Sequence, residues 1–147
     1  MTLKSTNHRP GNDQTVTAGV TYTRISKAPA GANGTSGSWQ INKVNVSENG
    51  VTTTYKSNSD DLTMSTPAGE GYTAKLDGKD YPYKGAFSYD TVSLKRINDR
   101  TIEETDKLNG RVMQVSKMTV SSDDKTITVV STSVPTNRTS TYVDTKQ

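Results

Sequence analysis

The chain has no cysteine, which removes both a disulfide framework and a thiolate metal site. Its one histidine, His8, stands beside Arg9, Pro10 and Gly11 in a turn-forming stretch, where a solvated loop residue is the ordinary reading. A Ser-His-Asp triad or a histidine-built metal centre has no basis here, and no cofactor motif is present. No run nears the ~20 apolar residues of a spanning helix. No charged-then-apolar leader opens the sequence; if the protein is exported, its signal is expected to lie outside these residues. Large aliphatics are scarce as well: Leu, Ile, Val and Phe make up 24 of 147 residues, below the roughly 20% at which disorder becomes a serious reading. The net charge of +3 argues the other way, because disordered chains pair low hydrophobicity with strong charge imbalance. Lys and Arg are scattered, with no basic run and no aromatic RNA-binding motif, so nucleic acid is not an expected partner.

What the chain does have is 24 Thr and 7 Tyr, β-formers that a hydropathy count undervalues. From Tyr89 to Ser133 the apolar residues recur at strand period. Val92 and Leu94 alternate with polar neighbours, Ile102 opens a second run, Arg111 to Ser121 forms a third, and Ile127 and Val129 mark a fourth. Asn109-Gly110 is a strong hairpin signal, since a type I′ turn needs positive φ at both central residues. The expected fold is all-β: an antiparallel meander closed into a barrel of about ten strands from Trp39 onward, with an extra N-terminal β-hairpin and no helix of normal length. The expected divisions are a hairpin over 1–27, a Pro/Gly/Ser-rich linker over 28–36 and a barrel over 37–147.

Two patterns qualify that layout. Met1 to Asn7 aligns without gaps on Ile127 to Ser133, with Thr2, Ser5 and Thr6 matching Thr128, Ser131 and Thr132, and Thr21-Tyr22 matches Thr141-Tyr142. If this is a repeat, the chain opens with the closing hairpin of a preceding unit. Unpaired edges on such a hairpin would dock on the same chain or favour a homodimer. In Arg111 to Ser121, Met113 and Val115 have opposite parity to Met118 and Val120; a bulge near Ser116-Lys117 would restore one apolar face.

Gly37-Ser38-Trp39 resembles the Gly-x-Trp that opens lipocalin-like barrels. The strings Leu76 to Pro82, Asp90 to Arg96 and Thr101 to Glu104 resemble a group of small exported bacterial proteins with such barrels and no assigned activity. The resemblance covers Gly37 to Gln147. It implies a secreted or periplasmic setting, and Trp39 at a closed barrel end beneath a basic residue of the last strand, with Lys146 nearest by position.

Candidate site residues follow from parity and composition. Glu103 and Glu104 point to opposite faces, and parity with Ile102 turns Glu104 inward. Arg96, in phase with Val92 and Leu94, would pair with it and orient a polar ligand group or serve as anchor in an isomerase; the structural alternatives are a buried pair that only satisfies itself or a bulge that turns one of the two outward. Tyr55, Tyr72 and Tyr83, with Met113 among the methionines, would line a cavity in the barrel, although filling the core is the commoner job for such residues. The expected function is non-catalytic binding of a small, partly apolar molecule. The alternatives are a cyclase- or isomerase-type barrel enzyme, or a structural module with a filled core.

Overall fold

In the computed structural model, residues 1–8 and 15–146 are described; of residues 4–8, 15, 16 and 49 only the backbone is. The turn expected after His8 falls, from Arg9 on, outside the described residues. Twelve strands follow one another: β1 (Thr2–His8), β2 (Thr15–Arg24), β3 (Trp39–Val46), β4 (Thr54–Ser57), β5 (Asp61–Ser65), β6 (Gly71–Lys75), β7 (Asp77–Pro82), β8 (Thr91–Asn98), β9 (Thr101–Leu108), β10 (Arg111–Val120), β11 (Thr126–Ser133) and β12 (Arg138–Thr145). Ten of them run from Trp39 onward. The one helical element among the described residues is a 3-10 turn at Glu48–Gly50.

The chain divides into two compact units, Met1–Thr52 and Thr53–Gln147. The expected boundary at Gly37 differs, because β3 pairs with β2 from Ala18↔Val46 to Arg24↔Trp39. The first unit is thus one antiparallel sheet, β1-β2-β3. With β2 flanked on both sides, a dimer through the hairpin would have to use the outer edge of β1. Trp39 lies under the Arg24 guanidinium, 4.1 Å from the ring centroid, where the resemblance pointed to Lys146. Arg24 also donates to the carbonyls of Gly34 and Ser36, and the indole N–H donates to the Thr35 carbonyl at 2.9 Å. The linker-like stretch is folded back by these bonds. Gly37 has φ +116°, a backbone conformation that calls for glycine.

The second unit holds two antiparallel sheets, β4-β5-β6 and β7 to β12 in consecutive order. A bridge between Gly71 and Lys84 joins them at one side. No ladder joins β4 to β12 among the described residues, so no sheet closes into a barrel. Alternation explains each strand: Leu62 and Met64 of β5, Tyr72 and Ala74 of β6, and Val92 and Leu94 of β8 are buried while their neighbours are more exposed. With Met118 and Val129 these residues form one core shared by both sheets. The turns behave as their residues require. Asn109 and Gly110 have φ of 51° and 75°, and Asp124 and Asn137, with φ of 59° and 51°, turn the next two hairpins.

Two expectations change with the ladder register. The bulge in β10 falls between Val112 and Gln114, three residues before the expected place, because the inward face carries polar Gln114 and Ser116 and does not need to be apolar throughout. The terminal likeness is also displaced. Thr2 pairs with Thr21, whereas Thr128 pairs with Val143, so setting Thr2 on Thr128 brings Thr21 to Val143 and not to Thr141.

Leu94 is wholly buried at the centre of this core. Leu94→Ala should lower the unfolding free energy of the second unit by about 2–5 kcal/mol, read from denaturant unfolding by far-UV circular dichroism. A loss below about 1 kcal/mol would place Leu94 outside a packed core.

Candidate functional site

β9 turns Ile102, Glu104 and Asp106 to one face by strand parity. Its neighbours give that face two different walls. On the β8 side Leu94 stands opposite Glu104 and Val92 opposite Asp106, and neither Leu94 nor Val92 has any exposed surface. On the β10 side Ser116 stands opposite Glu104 and Gln114 opposite Asp106, and β11 extends the first of these rows with Ser131.

The polar groups of the second wall are joined in a chain. The Tyr89 hydroxyl donates to Gln114 Oε1 at 3.1 Å, Gln114 Nε2 donates to Ser116 Oγ at 3.3 Å, and the Ser116 and Ser131 hydroxyls are 2.9 Å apart. Glu104 Oε2 accepts the Tyr72 hydroxyl. Asp106 is left out of this arrangement. It is only 1% exposed, and its Oδ1 has no hydrogen-bond partner among the described residues. The Gln114 amide directly across the ladder is committed to Tyr89 and Ser116.

Over this floor lies a cavity of about 170 Å³. Tyr55, Met64, Tyr83 and Tyr89 contribute to its wall, as do Met118 and Tyr142, with Glu70, Glu104, Asp106 and Gln114 as polar groups. The tyrosines support one another: Tyr72 meets Tyr83 edge to face at 5.4 Å between centroids, and Tyr83 meets Tyr89 at 5.8 Å. Burial pushes the Asp106 carboxyl up to about 8, with the neighbouring Glu104 adding to the shift. Burial raises Glu104 too, against the Tyr72 hydrogen bond that lowers it. Tyr72, Tyr55 and Tyr83 are held well above the usual phenol range, first by burial and then by the charge of Glu104, so they act here as neutral hydroxyls.

Of the residues singled out from the sequence, Tyr55, Tyr83 and Glu104 line the cavity, and Tyr72 holds Glu104 from beside it. Arg96 does not join them. It is exposed, and its Nη2 donates to the Ser59 carbonyl at 2.8 Å; near the end of β8 its long side chain reaches water and a turn carbonyl more cheaply than it could be buried. The partner of Glu104 is therefore Tyr72, not Arg96. Met113 is also absent from the wall, since it occupies the bulge, where its carbonyl accepts the Val134 N–H at 2.9 Å. Asp106, Gln114 and Ser116 were missed. The signal for Asp106 was present, two residues beyond Glu104 and in phase with it; nothing in the sequence reveals that Gln114 and Ser116 face inward, because the bulge sets their parity.

The raised carboxyls fix a pH dependence. Asp106 is neutral in the folded chain where it is ionised in the unfolded one, and Glu104 shifts in the same direction, so the folded state holds extra protons between about pH 4 and the Asp106 value of about 8. Stability is fully present below that window and falls as the pH rises through it. Asp77 and Asp123, lowered by hydrogen bonds, act with opposite sign in more acid solution. Denaturant unfolding at pH 5 and pH 8 should show a loss of stability at the higher pH, and a smaller loss in Asp106→Asn. Equal losses in the two proteins would mean that Asp106 ionises freely in the folded chain.

Searches against family models, curated proteins and solved structures return no match to this chain.

Proposed function

We propose that the second unit binds a small, partly apolar molecule without transforming it, in the tyrosine- and methionine-lined cavity above β9. The observation that carries this reading is the cavity itself, about 170 Å³ in volume, in a chain with few large aliphatics. An engineered apolar cavity of about 150 Å³ takes benzene, so the space suits a ligand of roughly six to ten heavy atoms. Rings and thioethers offer adaptable apolar contact, while a few hydroxyls and carboxyls fix orientation. A structural module with a filled interior does not accord with such a void. The reading includes a lipocalin-like barrel, supported by the consecutive antiparallel order of β7 to β12, the Gly71–Lys84 bridge and the shared core, and by the resemblance over Gly37 to Gln147. That resemblance also implies an exported protein.

A second reading rests on the two carboxyls. A carboxyl that stays protonated near neutral pH can deliver a proton, and Glu104 and Asp106 sit side by side at the cavity floor, as an isomerase or cyclase would need. Turnover that disappears in Glu104→Gln while ligand binding persists would establish it.

The methionines supply a direct test of binding. Met64 and Met118 line the cavity, whereas Met1 and Met113 do not. With methyl-labelled methionine, titration with benzyl alcohol should move the Met64 and Met118 signals and leave those of Met1 and Met113 in place. Uniform shifts, or none, would remove the cavity as a binding site.

A further inference from the structure

Two buried carboxyls, Glu104 and Asp106, line the cavity, and no Lys, Arg or His does. The second unit carries as many Lys and Arg as Asp and Glu, 13 of each, and its cations lie outside this wall. Lys107 Nζ holds Asp80 at 2.6 Å and Arg100 Nη1 holds Asp124 at 2.6 Å, while Arg96 is bonded to the Ser59 carbonyl.

Within the acid group the two buried carboxyls are treated differently. Glu104 has the Tyr72 hydroxyl, but Asp106 Oδ1 is buried and unbonded among the described residues. Leaving a polar atom in that state costs about 1–3 kcal/mol. The deficit is one donor, at a fixed place, beside tyrosine rings whose faces attract cations. A neutral hydroxyl could make the hydrogen bond; an ammonium makes it and also stabilises the ionised form of the carboxyl.

Resting on the small-molecule reading, we propose that the cavity takes a small primary amine, whose ammonium donates to Asp106 Oδ1 with Glu104 beside it. Its apolar part packs against Met64, Met118 and the tyrosine rings. The ammonium enters as the charged partner and the carboxylic proton of Asp106 leaves to solvent. The buried site therefore gains an ion pair and not a lone charge. The titratable groups facing Asp106 are Glu104 on its own strand, Tyr55 of β4, Tyr72 of β6, Tyr83 and Glu70 from the flanking segments, Tyr89 before β8, and Tyr142 of β12. None of them can supply a positive charge.

Benzylamine, benzyl alcohol and benzoate are near-isosteric probes of opposite or absent charge. Titrated at pH 7 against the whole chain and followed by the Met64 and Met118 methyl signals, benzylamine should bind at least about tenfold more tightly than benzyl alcohol, equivalent to about 1.4 kcal/mol, and benzoate should not bind. Asp106→Asn should bring benzylamine to parity with the alcohol. Equal affinity of amine and alcohol in the wild-type protein overturns the amine assignment and keeps the cavity reading. If no probe moves either methyl, both readings fail. The wild-type comparison decides the matter even if the variant does not fold.

Discussion

The second unit is built around two carboxyls placed side by side on the inward face of β9. Burying an ionised carboxylate is costly enough that the group takes up a proton instead. At Glu104 and Asp106 the apolar wall of Val92 and Leu94 forces that outcome. Other features of the interior follow. Tyr72 is oriented to donate to Glu104. The Tyr89–Gln114–Ser116–Ser131 chain satisfies its own polar groups and leaves Asp106 as the unmet acceptor. Two like groups this close cannot both ionise cheaply, which is why the presence of Glu104 raises Asp106 further.

A lean sequence makes such an interior necessary. Among the described residues eight hydrophobic ones are buried, too few to fill the space between two sheets with aliphatic side chains. Tyrosines take up the volume, serines and a glutamine complete the wall, and a void remains. Polar interiors of this kind hold together only when their hydrogen bonds are satisfied. Among the described residues of the cavity wall, Asp106 Oδ1 is the exception, as Asp61 Oδ1 is at the start of β5.

The first unit shows the same economy with different chemistry. Arg24 lies over the Trp39 ring while its guanidinium N–H groups bond the carbonyls of Gly34 and Ser36. One side chain thus provides a cation on an aromatic face and tethers a segment that has no apolar period of its own. Gly37 is favoured because its backbone has φ +116°, a conformation that side-chain-bearing residues rarely adopt.

Much of this was legible in the residues. Period-two alternation in Val92 and Leu94, or in Leu62 and Met64, specifies a half-buried strand whatever it packs against, and Asn109-Gly110 specifies its turn through φ alone; these are local constraints, and the sequence determined them. Parity likewise turned Glu104 inward. Which polar residues joined it was decided in three dimensions. The bulge between Val112 and Gln114 reverses the parity of half a strand, bringing Gln114 and Ser116 in and taking Met113 out. The end of β8 sets Arg96 free to reach Ser59. The pairing of β3 with β2 draws Trp39 to Arg24. A one-residue shift in a ladder exchanges the faces of every side chain beyond it, and that shift is fixed by the pairing of distant strands, not by the strand's own residues. The sequence therefore determined the strands and their turns, and the tertiary structure alone decided which side chains share the cavity.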